Sequence, residues 1–152
     1  MTPGPTLRRA ALTDAPAIAD LSGALGYPAT AATIADRLEQ ILGREDQAVL
    51  VVADATGAVV AWTHIAEDAP LEYGPRCEIL GLVVGAAARR QGAGRALVAG
   101  VEAWARGRGL TELSVRSNVL RMESHPFYEG LGFVRIKTQH AYRKAVSATD
   151  AP

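Results

Sequence analysis

Nine residues, RRQGAGRAL from Arg89 to Leu97, place three arginines and two glycines shortly after the apolar run EILGLVV, with GAAA between them. The following VAGVEAWARGRG reads as a helix. Glycines at 92 and 94 let backbone approach a ligand, because no Cβ intervenes. A helix beginning near Gly92 leaves its first N–H groups unpaired. Those groups, with the helix dipole, favour an anion such as a phosphate. Arg89, Arg90 and Arg95 add positive charge around that turn. The same letters also suit a plain strand-to-helix turn with solvated arginines. Two phosphate-binding motifs can be tested against them. A P-loop ends in GK[ST], whereas GAGRA has neither lysine nor hydroxyl. A dinucleotide fingerprint needs a third glycine or alanine where Leu97 stands, in a βαβ unit that the preceding meander does not form. Glu112, about 20 positions on, is the acid such a fingerprint would use for the ribose.

The elements that must hold this turn follow from hydrophobic period. Thr6 to Arg9 suits a short strand. Thr13 or Asp14 can cap a helix running to about Leu25, with Pro16 tolerated in its first turn and Ile18, Leu21 and Leu25 on one face. Gly23, Gly26, Tyr27 and Pro28 make a loop. Thr30 or Thr33 starts a second helix with the stripe Ile34, Leu38, Ile41 and Leu42, ended by Gly43. AVLVVA and AVVAWTHIA then form a hairpin about the turn DATG. EDAPLEYGPR is a polar loop, and CEILGLVV a buried strand. From Gly92 the helical period returns, with Ala93, Leu97, Val101, Trp104 and Ala105 on one face. TELSVR is a strand, ESHPFYEGLGF a short helix, and FVRIK with HAYRK a closing antiparallel pair. The order β-α-α-β-β-β-α-β-α-β-β predicts an α/β (α+β) domain whose mixed sheet carries helices on both faces.

Bulk composition narrows the function. A chain of 152 residues that is 49% hydrophobic suits one globular domain, here with an ordered core over about 6–144. Lys+Arg and Asp+Glu balance at 16 each, which argues against a nucleic-acid partner. Cys77 is the sole cysteine, so neither an internal disulfide nor a multi-cysteine metal site is expected, and no metal is called for. No apolar run reaches the length of a membrane span and no signal h-region is evident, so a cytoplasmic protein with no membrane partner is expected. Lys137 and Lys144 are the only lysines among the basic residues, and alanine is abundant. That is a coding bias of GC-rich bacterial genomes rather than a functional signal.

Two segments then carry a resemblance. Arg89-Arg90-Gln91-Gly92-Ala93-Gly94 resembles the [RQ]-x-x-G-x-[GA] signature of the GNAT family of N-acyltransferases. SNVLRMESHPFYEGLGF resembles that family's second signature, an asparagine followed by a helix with F-Y and then L-G-F. The element order resembles the family's over roughly residues 6 to 144. The resemblance implies a GNAT-like acyl-CoA N-acyltransferase fold with a mostly antiparallel central sheet, and acetyl-CoA as cosubstrate. It implies that amides from about Gln91 to Ala96 cradle the pyrophosphate, and that Leu82, Val83 and Val84 pair with the pantetheine arm. It implies that Asn118 contacts that arm. Such pairing needs an open strand edge, and Gly81 suits a bulge that would create one.

Transfer of an acyl group to an amine needs a neutral amine, a polarised carbonyl and a proton for the leaving thiolate. Glu78, at the start of the central strand where some family members carry a catalytic glutamate, is the first choice of base; its alternative is a surface carboxylate paired with Arg76 or another arginine. His64 is the runner-up, in a strand where Trp62, His64 and Ala66 share one face. Tyr128 resembles the family tyrosine that protonates the thiolate, since a phenol keeps its proton at neutral pH. Phe127, Leu131, Phe133, Trp62 and Trp104 are expected in the core. His125 and His140 are read as structural or exposed. Cys77 lacks an evident partner for a covalent route.

The acceptor is less legible. The loop Ser22 to Thr30 with Tyr27, and the loop Glu67 to Arg76 with Asp68 and Glu72, are the expected walls. Tyr27, His64 and Glu72 are the candidate substrate contacts. The expected reaction is transfer to the primary amine of a small molecule by direct attack in a ternary complex. A protein N-terminus or lysine is the alternative acceptor. A non-catalytic acyl-CoA sensor and a purely structural module are the alternative classes. The resemblance also implies pairing into a homodimer, through a surface that the sequence does not mark.

Overall fold

β-branched and aliphatic residues dominate QAVLVVA and VVAWTHIAED, and both runs form strands, the first buried at every residue but Gln47 and the second buried at Ala61, Thr63, Ile65 and Ala66. The computed structural model describes residues 4–89, 91–117, 119 and 124–148. The chain forms two compact units, Met1–Arg116 and Ser117–Pro152. The first unit holds β1 (Thr6–Arg9), α1 (Ala15–Ala24), α2 (Ala31–Leu42), β2 (Gln47–Ala53), β3 (Val59–Asp68), β4 (Arg76–Val84), α3 (Ala93–Gly107) and β5 (Leu113–Val115). These strands form one sheet in the order β1-β2-β3-β4-β5, antiparallel except for the β4–β5 pair.

The two faces are covered differently. Ile18 of α1 and Leu38 of α2 pack with Ala10 and with Val49 and Val51 of β2, and Ile34, Ile41, Val59 and Trp62 join them. Leu42, expected in that stripe, is 42% exposed, because the helix ends there and its last turn passes the edge of the core. On the opposite face α3 buries Ala93, Leu97, Val98, Val101 and Ala105. There a Cβ on Gly100 would sit 3.2 Å from a methyl of Leu50.

Local signals place the helix starts. Thr30 caps α2, its hydroxyl accepting from the Thr33 amide at 3.1 Å. Asp14 precedes α1, but its carboxylate turns back to accept the Ala11 amide at 2.7 Å and a bidentate pair from Arg8 at 2.8 and 2.9 Å. A 3-10 turn over Leu12–Asp14 therefore leads into α1 in place of an ordinary side-chain cap.

The second unit holds α4 (Ser124–Gly130) and its turn, with Gly132 at φ +92°. Tyr128 stands edge-on to Phe127 at 5.1 Å and to Phe133 at 5.6 Å. These aromatics and Leu131 are half-buried, so the expected core role is replaced by a small partly exposed aromatic cluster. The expected pair FVRIK and HAYRK does not form: among the described residues, 133–148 contain no strand, and Val134, Ile136 and Tyr142 are exposed. Period-two alternation permits a strand, but a strand also needs a backbone partner.

Candidate active site

The central feature is a shift of register in β4. His64 of β3 pairs with Gly81 and Ile65 pairs with Ile79, so Leu80 has no partner on β3 and is 52% exposed. That slip is the bulge anticipated at Gly81, and it changes which side chains share a face. Below it Glu78 lies opposite Ala66, and above it Gly81 and Val83 lie opposite His64 and Trp62. All of these sit on the face that α1 and α2 cover. Gly81 is needed for packing as well: a Cβ there would lie 3.0 Å from two ring carbons of Trp62. Its carbonyl accepts the Thr63 hydroxyl at 2.8 Å.

β5 pairs with β4 only along Cys77, Ile79 and the Glu78 between them. Among the described residues, the β5-side edge of β4 from Leu80 to Val84 is therefore open. Leu82, Val83 and Val84 lie on that edge and can receive a strand-like ligand arm through their backbone.

Beyond β4, a 3-10 turn over Ala86–Ala88 leads to Gly92, the residue before α3, at φ +85° with no side-chain cap. Among the described residues, a Cβ at Gly92 would meet nothing within 4 Å. The Gln91 amide donates to Ala88 and the Ala96 amide to Gly92. This narrows the expected cradle of Gln91 to Ala96: the first-turn amides of Ala93, Gly94 and Arg95 have no partner one turn back in the helix. Arg89 and Arg95 are exposed beside this helix end. Arg90 and Asn118 lie outside the described residues.

Glu78 is 7% exposed and its carboxylate lies 3.5 Å from the Arg116 guanidinium. It is thus paired with another arginine, as its alternative reading allowed, but it is buried rather than on the surface, and Arg76 instead stands 3.7 Å from Asp68 and over the Tyr73 ring at 5.1 Å. His64 Nε2 lies 2.8 Å from the Gln47 amide oxygen. An amide oxygen only accepts, so this contact selects the tautomer with the proton on Nε2 and leaves Nδ1 as an acceptor. Burial lowers the His64 pKa below its ordinary value, so the ring is neutral at pH 7. Cys77 is fully buried and its thiol is pushed up to about 11, first by burial and then by Glu67, which removes it as a nucleophile. Tyr27 and Glu72 are exposed on their loops. Trp62 and Trp104 are half-buried rather than core, Trp104 lying under the Arg108 guanidinium at 5.1 Å.

Motif reading did not mark Gln47, Ser114 and Arg116, the polar neighbours of His64 and Glu78. Each is a polar residue within or flanking an apolar strand, and alternation in TELSVR already set Ser114 and Arg116 against Leu113 and Val115. Which of them meets Glu78 depended on the β4–β5 register.

Against known families, the Acetyltransferase (GNAT) family model matches residues 17–133. The chain belongs to the GNAT acetyltransferase family. An aminoglycoside N(6')-acetyltransferase type 1 of Stenotrophomonas maltophilia is 32% identical over 133 residues, covering 85% of this chain and 86% of that protein. The fold is that of aminoglycoside 6'-N-acetyltransferase AAC(6')-Ih from Acinetobacter baumannii, with a TM-score of 0.82, 20% identity, and coverage of 95% and 100% of the two chains. AAC(6')-Iy in complex with a CoA bisubstrate analogue matches with a TM-score of 0.83 at 19% identity, over 95% of this chain and 100% of that one. This GNAT protein is an acetyl-CoA-dependent N-acetyltransferase. Its open β4 edge and glycine-led α3 terminus suit the pantetheine arm and pyrophosphate of that cosubstrate. No group of three or more His, Cys, Asp or Glu able to hold a metal occurs among the described residues, and no described helix is long and apolar enough to cross a membrane.

Proposed function

We propose that this GNAT protein transfers the acetyl group of acetyl-CoA to the primary amine of a small molecule, by direct attack in a ternary complex. The observation that carries the reading is the buried Glu78 carboxylate. It sits on β4 two residues before the open edge and on the α1/α2 face with His64. The names of the aminoglycoside-acetylating relatives support a small-molecule acceptor. Acetyl-CoA supplies the thioester whose carbonyl carbon is attacked.

In this reading Glu78 binds the acceptor ammonium and takes one proton from it. The freed amine attacks, the C–N bond forms, the C–S bond breaks, and the Tyr128 hydroxyl protonates the departing thiolate. The nitrogen then loses its remaining extra proton to solvent. A backbone N–H of Leu82 or Val83 polarises the carbonyl. Leu82, Val83, Val84 and the α3 terminus around Arg89, Arg95 and Gly92–Ala96 hold the cosubstrate, with Arg90 and Asn118 as further contacts. Tyr27 and Glu72 border the acceptor. A second reading gives the base role to His64, favoured by its neutral ring and by the Gln47 contact that leaves Nδ1 free to accept.

The test is steady-state thiol release with acetyl-CoA and a panel of amines, repeated for Glu78→Gln and His64→Gln across pH. Loss of the acid limb of kcat/KM in Glu78→Gln supports the first reading, and its loss only in His64→Gln transfers the role. No release with any amine, although acetyl-CoA still raises the melting temperature, makes the protein a binding module.

A further inference from the structure

Among the described residues, the charged side chains of Asp68, Arg76 and Glu78 on the α1/α2 face of β3 and β4 each lie beside one of opposite sign. Asp68 faces Arg76 at 3.7 Å, Glu78 faces Arg116 at 3.5 Å, and burial keeps His64 neutral. Both ion pairs are longer than the roughly 2.7–2.9 Å of a charge-assisted hydrogen bond, so each cation keeps donor capacity. Arg76 shows this most clearly. Its side chain is 14% exposed and its plane is steadied by the Tyr73 ring, yet its Nε is buried and has no acceptor among the described residues. The hydroxyl of Ser114, the register partner of Glu78, is likewise buried with no partner among the described residues. Buried donors left unmade are costly, and a ligand acceptor would relieve that cost.

We infer that Arg76 reads an anionic group on the acceptor, so that the acceptor is zwitterionic: a primary amine that also bears a carboxylate. This rests on the reading above, in which this face receives the acceptor. Arg76 and Glu78 are two residues apart in one strand, so they share a face about 7 Å apart along it. A small amino acid spans that distance, with its ammonium at Glu78 and its carboxylate on the planar fork of Arg76. A polycation fits poorly. Asp68 and Glu78 each already face an arginine, and ammonium groups beyond the one at Glu78 would lie against Arg76 and Arg116 unless they reached Glu72 on its loop.

The experiment measures kcat/KM of the full chain with acetyl-CoA and matched acceptor pairs: free amino acids, their methyl esters, and neamine as a polycation. The ester keeps the amine and masks the anion. At least one free acid is expected to exceed its ester by about ten- to a hundredfold, the range for a hydrogen-bonded charge. Arg76→Gln is expected to bring that ratio near one by slowing the acid alone. Arg76→Lys, which keeps the charge and protects against a folding loss, is expected to retain part of it, with melting temperatures checked for both. Equal rates for acid and ester, a preference for neamine, or an Arg76→Gln loss shared by both acceptors overturns the zwitterion proposal alone. No turnover of any amine overturns the transferase reading, and this proposal with it.

Discussion

Replacing Gly92 separates backbone shape from charge at the helix end. Gly92 stands at φ +85°, and among the described residues an added Cβ would meet nothing within 4 Å. Any cost in the free protein is therefore conformational rather than steric. Ala at such a φ costs about 1–2 kcal/mol, and a few degrees of melting temperature for a chain of this size. Asn and Asp tolerate the left-handed region better than Ala. They match each other in shape and differ by one negative charge. If the cosubstrate's pyrophosphate rests on the amides of Ala93, Gly94 and Arg95, an aspartate about 5 Å away repels it. The repulsion is about 1 kcal/mol at water-like screening and about 3 kcal/mol at an effective dielectric of 20. Titration calorimetry with acetyl-CoA should then show Gly92→Asp binding roughly 5- to 150-fold more weakly than Gly92→Asn, with the gap closing as salt rises. Equal affinities in the two variants would refute the anion site, whatever their shared loss against the native protein. Gly92→Glu extends the same test with a longer acid, and calorimetry should show binding abolished.

Three further outcomes are expected. Tyr128→Phe should lower kcat by about 10²- to 10⁴-fold with little change in acetyl-CoA affinity, and an unchanged kcat removes the hydroxyl from the reaction. Gly81→Ala forces its methyl against the Trp62 ring and should cost about 1–3 kcal/mol of overpacking in urea unfolding; a neutral variant would mean that the ring moves freely. His64 has a folded pKa below its unfolded value, so the unfolded state binds more protons just below pH 6.5. Stability should fall as pH drops from 6.5 toward the folded pKa and then level off in this respect. His64→Gln should flatten that slope in denaturation midpoints, and an unaltered slope would refute the burial of a neutral ring.

Much of this protein is set by local sequence. The period of Ile34, Leu38 and Ile41, the cap at Thr30 and the glycine before Ala93 are near-neighbour properties, and α2 and α3 follow from them. The strand at EILGLVV and the turn at RRQGAG are legible for the same reason, as is the short helix at Ser124–Gly130. What local sequence cannot carry is register and partnership. Glu78 faces Ala66, Ser114 and Arg116 because β4 slips by one residue at Leu80 and β5 pairs in parallel with its first half. Alternation alone would have put Glu78, Leu80 and Leu82 on one face; the bulge sets Gly81 and Val83 there instead. Gln47 meets His64 across 17 residues of sequence, through a hairpin whose register only the whole sheet defines. The failure of FVRIK and HAYRK to form strands has the same origin. Their alternation is intact, but a ladder needs a second backbone, and a residue pattern specifies only one. Periodicity thus determined the elements and the chemistry they offer, while the sheet's register, a long-range property, decided which side chains meet.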